Sequence, residues 1–178
     1  MALRRRLPSA KDTVYAFLAC LVPIGGWSVF RMLDEGIPVW VLQMRPWDVI
    51  GTVAYVQAFA LFEGTVIFAG LLLLAFALPA RWFRDQFVPI ATAIVYASAA
   101  WFVAAHQNDE TLRTWGWRQL LPWLGAYSAS LLLLSAAVHR SVRLRTLISS
   151  YVDRVSVLAT TYLALAAMGV IIVLIRNL

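Results

Sequence analysis

Five long apolar runs, separated by short polar or basic segments, account for most of this 178-residue chain. The runs cover residues 13–33, 48–78, 87–105, 118–138 and 155–175. A spanning helix needs about 20 mostly apolar residues, because each residue rises about 1.5 Å and the hydrocarbon core is about 30 Å thick. Each run therefore predicts a transmembrane helix. Together they predict an all-α integral membrane protein, a bundle of about five helices in one polytopic domain, 1–178.

The second run and the segment before it depart from the simplest spanning pattern. At 31 residues, the run 48–78 exceeds what a perpendicular helix needs, so this helix must tilt or project beyond the membrane. The segment Ile37–Trp47 is too short and too interrupted to span. We expect it to lie in the membrane interface or to dip partly into the membrane.

The first run allows two interpretations. A basic start followed by apolar residues is also typical of a signal peptide, and Phe17–Cys20 resembles a weak lipoprotein cleavage box in which Cys20 would be acylated. However, the apolar run continues ten residues past Cys20, and Asp12 interrupts the region expected to be apolar. These features favour a retained span, kinked near Pro23.

Composition and charge also indicate a membrane location. The chain is 62% hydrophobic and 13% charged, a balance that no soluble domain of this size would tolerate. Its net charge of +6 comes from basic residues in short loops, which indicates headgroup contact rather than a nucleic-acid surface. The lone Cys20 excludes an internal disulfide, and His106 and His139 are predicted at opposite membrane faces. No haem, metal or other cofactor is therefore predicted.

The distribution of Lys and Arg predicts the orientation, because cytoplasmic loops carry the excess. With the N-terminus inside, ten basic residues fall on the inner side and five on the outer side, so we expect a cytoplasmic N-terminus and an outer C-terminus. The inner set is Arg4, Arg5, Arg6, Lys11, Arg81, Arg84, Arg140, Arg143, Arg145 and Arg154, and the outer set is Arg31, Arg45, Arg113, Arg118 and Arg176.

Tryptophan is concentrated towards the predicted outer face, where seven of the eight fall, and only Trp82 lies towards the inner one. An interfacial aromatic belt explains this distribution. An outward vestibule that stacks a sugar, a lipid headgroup or a partner protein is the alternative.

Glu63 is the most informative polar residue, because it is the only acid in the interior of a predicted span, fifteen residues from either end of the run 48–78. A carboxylate at that depth costs several kcal/mol, so it should be protonated, paired or next to water. A polar set at a similar depth could join it in one midplane cluster. The set is Cys20, the kink at Pro23, Gly25 and Gly26, then Tyr96, Ser98, Tyr127, Ser128 and Ser130, with Gln57 about two turns further out on the helix of Glu63. Such a cluster would form a proton-linked or ion-linked site, a headgroup pocket, or only interhelical hydrogen bonds.

Small residues recur with helical spacing on two predicted spans. Ala93, Ala97, Ala100 and Ala104 form a stripe on the third span, and Thr160, Ala164 and Ala167 form a similar stripe on the fifth. Small side chains on one face let another helix backbone approach closely. Both stripes therefore predict packing surfaces, for a neighbouring helix in the chain or for a partner chain.

The sequence contains no nucleophile elbow, phosphate-cradling glycine loop or zinc signature, so nothing in it favours an enzyme. The leading hypothesis is a non-catalytic subunit or scaffold that binds another membrane protein or a second copy of itself in the lipid bilayer. The alternative is a small transporter, channel or lipid-handling protein with a midplane site at Glu63. A third hypothesis is an enzyme that acts on lipid-linked substrates at the outer face and uses Asp48, His106, Asp109 or Glu110.

The expected location is a bacterial inner (plasma) membrane, as a multi-pass protein. The charge pattern favours it, and the sequence shows no organellar presequence.

Overall fold

The computed structural model of the chain describes residues 8–79 and 82–178, apart from the side chain of residue 35. Four of the predicted inner basic positions, Arg4, Arg5, Arg6 and Arg81, lie outside these residues. Throughout the described part the regular structure is helical. The α-helices are α1 (Ala10–Arg31), α2 (Ile37–Gln43), α3 (Pro46–Ala77), α4 (Phe87–Gln107), α5 (Asp109–Thr114), α6 (Trp117–Arg140) and α7 (Val142–Asn177).

Five of these helices, α1, α3, α4, α6 and α7, are long and apolar enough to cross a membrane, one for each apolar run of the sequence. The second run forms α3, which has 32 residues and a length of about 48 Å at 1.5 Å per residue.

The first helix begins where the Ser9 hydroxyl accepts a hydrogen bond from the Asp12 amide at 3.1 Å. Cys20 lies buried in the middle of that helix.

The segment between α1 and α3 is largely helical, although it contains Pro38. A π-helical turn, Met32–Gly36, continues α1 directly into α2, and Pro38 lies in the first turn of α2. The apolar side chains of α2, such as Val41 and Leu42, are exposed.

The last helix begins much earlier than its apolar run. Ser141 alone separates α6 from α7, and its hydroxyl accepts a hydrogen bond from the Leu144 amide at 3.3 Å. Residues 142–154, which precede the predicted span 155–175, form the first turns of the 36-residue α7. Polar residues such as Arg, Ser and Thr allow a helix to continue beyond its apolar part, so hydropathy locates the span but not the start of the helix.

Helix α1 occupies the centre of the bundle, where it packs against α3, α4 and α7, and α4 in turn packs against α6. The main hydrophobic core joins α1, α3 and α4 through buried residues such as Cys20, Leu71 and Ile90. Helix α6 lies at the periphery, because only Val138 among its residues is buried.

Small residues set the contact between α3 and α7. A Cβ at Gly169 would lie 2.8 Å from the carbonyl oxygen of Ala54, so the two backbones approach each other closely. The small stripe that packs inside the chain comprises Ala159, Ala166 and Gly169. The predicted stripe of Thr160, Ala164 and Ala167 is exposed instead. The two stripes differ in helical phase, and only the neighbouring helices decide which one is covered.

The predicted alanine stripe on α4 is covered over part of its length. Ala93 is buried, Ala97 and Ala104 are half-buried, and Ala100 is exposed. The stripe packs against neighbours near the start of α4 and opens towards its end.

Side-chain contacts distinguish the two ends of the bundle. We call the end that contains Lys11, Asp85 and Arg145 the N-terminal end. At the opposite end, an Arg176 nitrogen lies 2.7 Å from an Asp48 carboxylate oxygen and joins the end of α7 to the start of α3.

Candidate functional site

Glu63 lies midway along α3, 17 residues after its first residue and 14 before its last. Its side chain is exposed on the outside of the bundle. The next residue, Gly64, is buried, and a Cβ there would lie 2.7 Å from a methyl carbon of Leu21. Consecutive residues of a helix point about 100° apart, so the packing of Gly64 against α1 turns Glu63 away from the interior.

The surface around Glu63 is apolar and open. Phe59, Val66 and Gly70 lie four residues before, three after and seven after Glu63, so they share its face of the helix. Phe59 and Val66 are 60% and 53% exposed. A Cβ added at Gly70 would meet nothing within 4 Å, which leaves room for a close approach from outside. We call these four residues the Glu63 face.

Glu63 has no ion pair or hydrogen bond from its side chain to any other residue that the structure describes. The described basic residues of the chain lie towards the two ends of the bundle rather than at its middle. They are Lys11, Arg84, Arg140, Arg143, Arg145 and Arg154 towards the N-terminal end, and Arg31, Arg45, Arg113, Arg118 and Arg176 towards the opposite end. The carboxyl group therefore lies on an apolar surface, with no charged partner among the described residues.

Gln57, in contrast, belongs to the interior. It is 5% exposed, and its side-chain nitrogen lies 3.5 Å from the Ser28 hydroxyl and 3.9 Å from the Met32 sulfur. These contacts connect α3 to the end of α1. Gln57 is an interhelical link and lies on the buried side of the helix that presents Glu63 outwards.

A second polar group connects α4 to α6. The Ser98 and Tyr127 hydroxyls are hydrogen-bonded at 2.9 Å, and the Trp101 indole donates to the Ser130 hydroxyl at 2.9 Å. Trp101 was not among the midplane candidates, although its position one turn after Ser98 could have indicated that it shares this face. Interhelical bonds of this kind are worth about 0.6–2 kcal/mol each in membrane proteins, and here they hold the peripheral α6.

The remaining midplane candidates do not join Glu63. Tyr96 packs edge-on against Tyr151 of α7, with ring centroids 5.4 Å apart, and Ser128 is exposed. The polar set therefore divides between the α1–α3 contact, the α4–α6 contact, the α4–α7 contact and the outside of the bundle.

The acidic and histidine candidates at the opposite end are held in separate contacts. His106 lies 3.1 Å from an Arg31 guanidinium nitrogen, Asp48 pairs with Arg176, and Asp109 pairs with Arg113 at 2.7 Å. Aromatic rings surround His106, with the Trp27 centroid 5.5 Å away. Among the described residues, no three His, Cys, Asp or Glu side chains are grouped so that they could hold a metal ion.

Comparison with protein-family models, with curated proteins and with solved structures finds no match for this chain.

Proposed function

We propose that this protein is a non-catalytic subunit or scaffold of a membrane complex, embedded as a multi-pass protein in a bacterial inner membrane. The observation that carries the proposal is Glu63, an ionisable side chain on the apolar outside of α3 with no partner among the described residues. A transmembrane helix of another protein packs against the Glu63 face and supplies the missing partner.

The energy of a carboxylate in lipid supports this assignment. A charged residue at the centre of a spanning helix costs about 2.5–3.5 kcal/mol on insertion scales, so such residues usually pair or face water. A partner that brings an oppositely charged group removes most of this cost. Gly70, two turns from Glu63, lets the partner backbone approach closely.

The partner is a different protein whose helix carries Lys or Arg at the depth of Glu63. A second copy that packed symmetrically through the same face would set one Glu63 against another, because a two-fold interface brings identical patches together. The described basic residues of this chain lie towards the bundle ends, so they are poorly placed to meet Glu63 of another copy.

The transport hypothesis has less support than the subunit hypothesis. Helix α3 packs chiefly against α1 and α7, whereas Ser98 and Tyr127 join α4 to α6. Glu63 and these hydroxyl groups therefore do not line one path through the bundle.

The proposed orientation has a cytoplasmic N-terminus and an outer C-terminus, supported by the excess of Lys and Arg on the N-terminal side. We expect alkaline phosphatase fused after Leu178 to be active and green fluorescent protein at the same point to be dark. A fluorescent C-terminal fusion with inactive phosphatase would reverse the orientation.

Crosslinking in native membranes tests the proposed partner directly. A photoreactive amino acid at Val66, next to Glu63 on the exposed side of α3, should give a specific adduct with one other membrane protein, identified by mass spectrometry. The matched control places the same group at Leu132, which is 72% exposed on α6 and should label mainly lipid. Equal adducts at both positions, or an adduct only with a second copy of this chain, would contradict the proposed partner.

A further inference from the structure

A cleft of about 420 Å³ lies at the N-terminal end of the bundle, between the start of α1, the start of α4 and the first turns of α7. Its volume falls within the range of about 300–1,000 Å³ that is typical of small-molecule sites. Phe87, Pro89 and Val152 contribute apolar surface, and charged side chains from α1, from α7 and from the turn that precedes α4 complete the lining.

The charges in this cleft are of both signs and are mostly not paired with each other. Two cations, Lys11 and Arg145, and three carboxylates, those of Asp12, Asp85 and Asp153, line it. The Asp85 carboxylate lies 3.6 Å from the guanidinium of Arg84, which lies outside the lining. Two positive and two negative groups remain, so the cleft is close to neutral overall yet strongly polar.

Most of these charged side chains have no oppositely charged partner among the described residues. The Lys11 ammonium lies 5.6 Å from the centre of the Tyr15 ring, and the Asp12 carboxylate accepts a hydrogen bond from Ser9 at 2.6 Å. Arg145 and Asp153 form no ion pair with any residue that the structure describes. The buried amide oxygen of Gln86, also in the lining, accepts no hydrogen bond within the described ranges.

The position of the cleft along the helices corresponds to the headgroup level of a membrane. Lys11 precedes the apolar part of α1, and Asp153 precedes the apolar part of α7. A phosphate placed here can contact basic side chains, as anionic headgroup oxygens do at membrane surfaces. An ammonium beside that phosphate can donate hydrogen bonds to carboxylates, and such charge-assisted bonds are stronger than neutral ones.

We propose that this cleft binds a zwitterionic phosphoethanolamine group. Lys11 and Arg145 contact its phosphate, Asp153 and Asp12 contact its ammonium, and the apolar wall accepts the glycerol or acyl part of a lipid. The group could belong to phosphatidylethanolamine or to a free phosphoethanolamine. The lipid source depends on the membrane embedding proposed above, and resistance of the protein to alkaline carbonate extraction tests that embedding separately.

The test uses the full-length protein in mild detergent and native mass spectrometry with short-chain lipids. We expect binding of dioctanoyl phosphatidylethanolamine to exceed that of phosphatidylglycerol, which lacks the ammonium, and that of phosphatidylcholine, whose ammonium has no N–H donors. Arg145→Gln and Asp153→Asn should each weaken phosphatidylethanolamine binding about tenfold, through loss of one charge-assisted contact.

Arg143→Gln is the matched control, because Arg143 is an exposed basic residue near Arg145 that does not line the cleft. Equal loss in the two arginine variants, or binding of phosphatidylglycerol at least as tight as that of phosphatidylethanolamine, would overturn the proposal. Calorimetry with soluble O-phosphoethanolamine separates the sources: tight binding assigns the free compound, and binding of the lipid alone assigns the lipid. Binding of neither overturns the site, even for a protein that resists carbonate extraction.

Discussion

Gly169→Val is expected to separate α7 from α3 and to lower the stability of the bundle strongly. A Cβ at residue 169 would lie 2.8 Å from the Ala54 carbonyl oxygen and 3.1 Å from the Gln57 Cβ. The first neighbour is a backbone atom, which cannot rotate away, so the helices themselves must move apart. Overpacking of this kind costs about 1–3 kcal/mol of unfolding free energy, and we expect the upper part of that range.

The matched control is Gly125→Val on the peripheral α6, where a Cβ would meet nothing within 4 Å. Both variants replace a helical glycine with the same β-branched residue, so their difference isolates the close contact between helices. The measurement is the fraction of protein that stays monodisperse in detergent after heating, with tryptophan fluorescence as a second probe. Equal stability of the two variants would show that α3 and α7 do not approach as closely as described.

Glu63→Leu is expected to abolish co-purification of the partner protein while leaving the folding of this chain intact. The side chain is exposed and makes no side-chain contact with charged groups of the described chain, so its removal costs little inside the bundle. The partner, however, retains a cation without its counter-charge in the membrane, and an unpaired charge at that depth is costly. We expect at least a tenfold loss of partner, since about 1.4 kcal/mol is sufficient for that factor.

Two further variants refine this experiment. Glu63→Gln keeps a polar group of the same size but removes the negative charge, so it should also lose most of the partner if the opposite group is Lys or Arg. Thr65→Leu is the control, because Thr65 is exposed on the same helix and its hydroxyl bonds only the Leu61 carbonyl of its own helix. Quantitative mass spectrometry of the purified complexes gives the ratio. Retention of the partner by Glu63→Leu would exclude the Glu63 face as its binding surface.

Much of the fold could be predicted from the sequence because membrane helices obey a local rule. A helix that crosses the hydrocarbon must satisfy every backbone polar group internally and must be apolar over about 20 residues. The runs 48–78 and 118–138 match α3 and α6 within two residues at each end. The start of α7 at Val142, well before the predicted span 155–175, did not follow from the apolar pattern, because a helix outside the hydrocarbon carries no such signature.

The candidate site was harder to predict, because the sequence gives the depth of each polar residue along its helix but not the side of the bundle that its side chain faces. Glu63 and Gln57 lie on the same helix, yet Gln57 contacts Ser28 of α1 and Glu63 faces outwards. Depth follows from the rise per residue, which the sequence provides. Direction depends on how the helix is rotated about its axis, which the contacts with other helices determine.

The sequence by itself determined three features. They are the five apolar helices, the carboxyl group of Glu63 in the middle of one of them, and the spacing of small residues on α4 and α7. The tertiary structure decided which faces are covered. Packing of Gly64 against Leu21 turned Glu63 outwards, and packing of Gly169 against Ala54 covered one small stripe of α7 while leaving Ala164 exposed. The reason is geometric: helical periodicity sets the angles between residues of one helix, whereas the fit between side chains of different helices sets its rotation in the bundle.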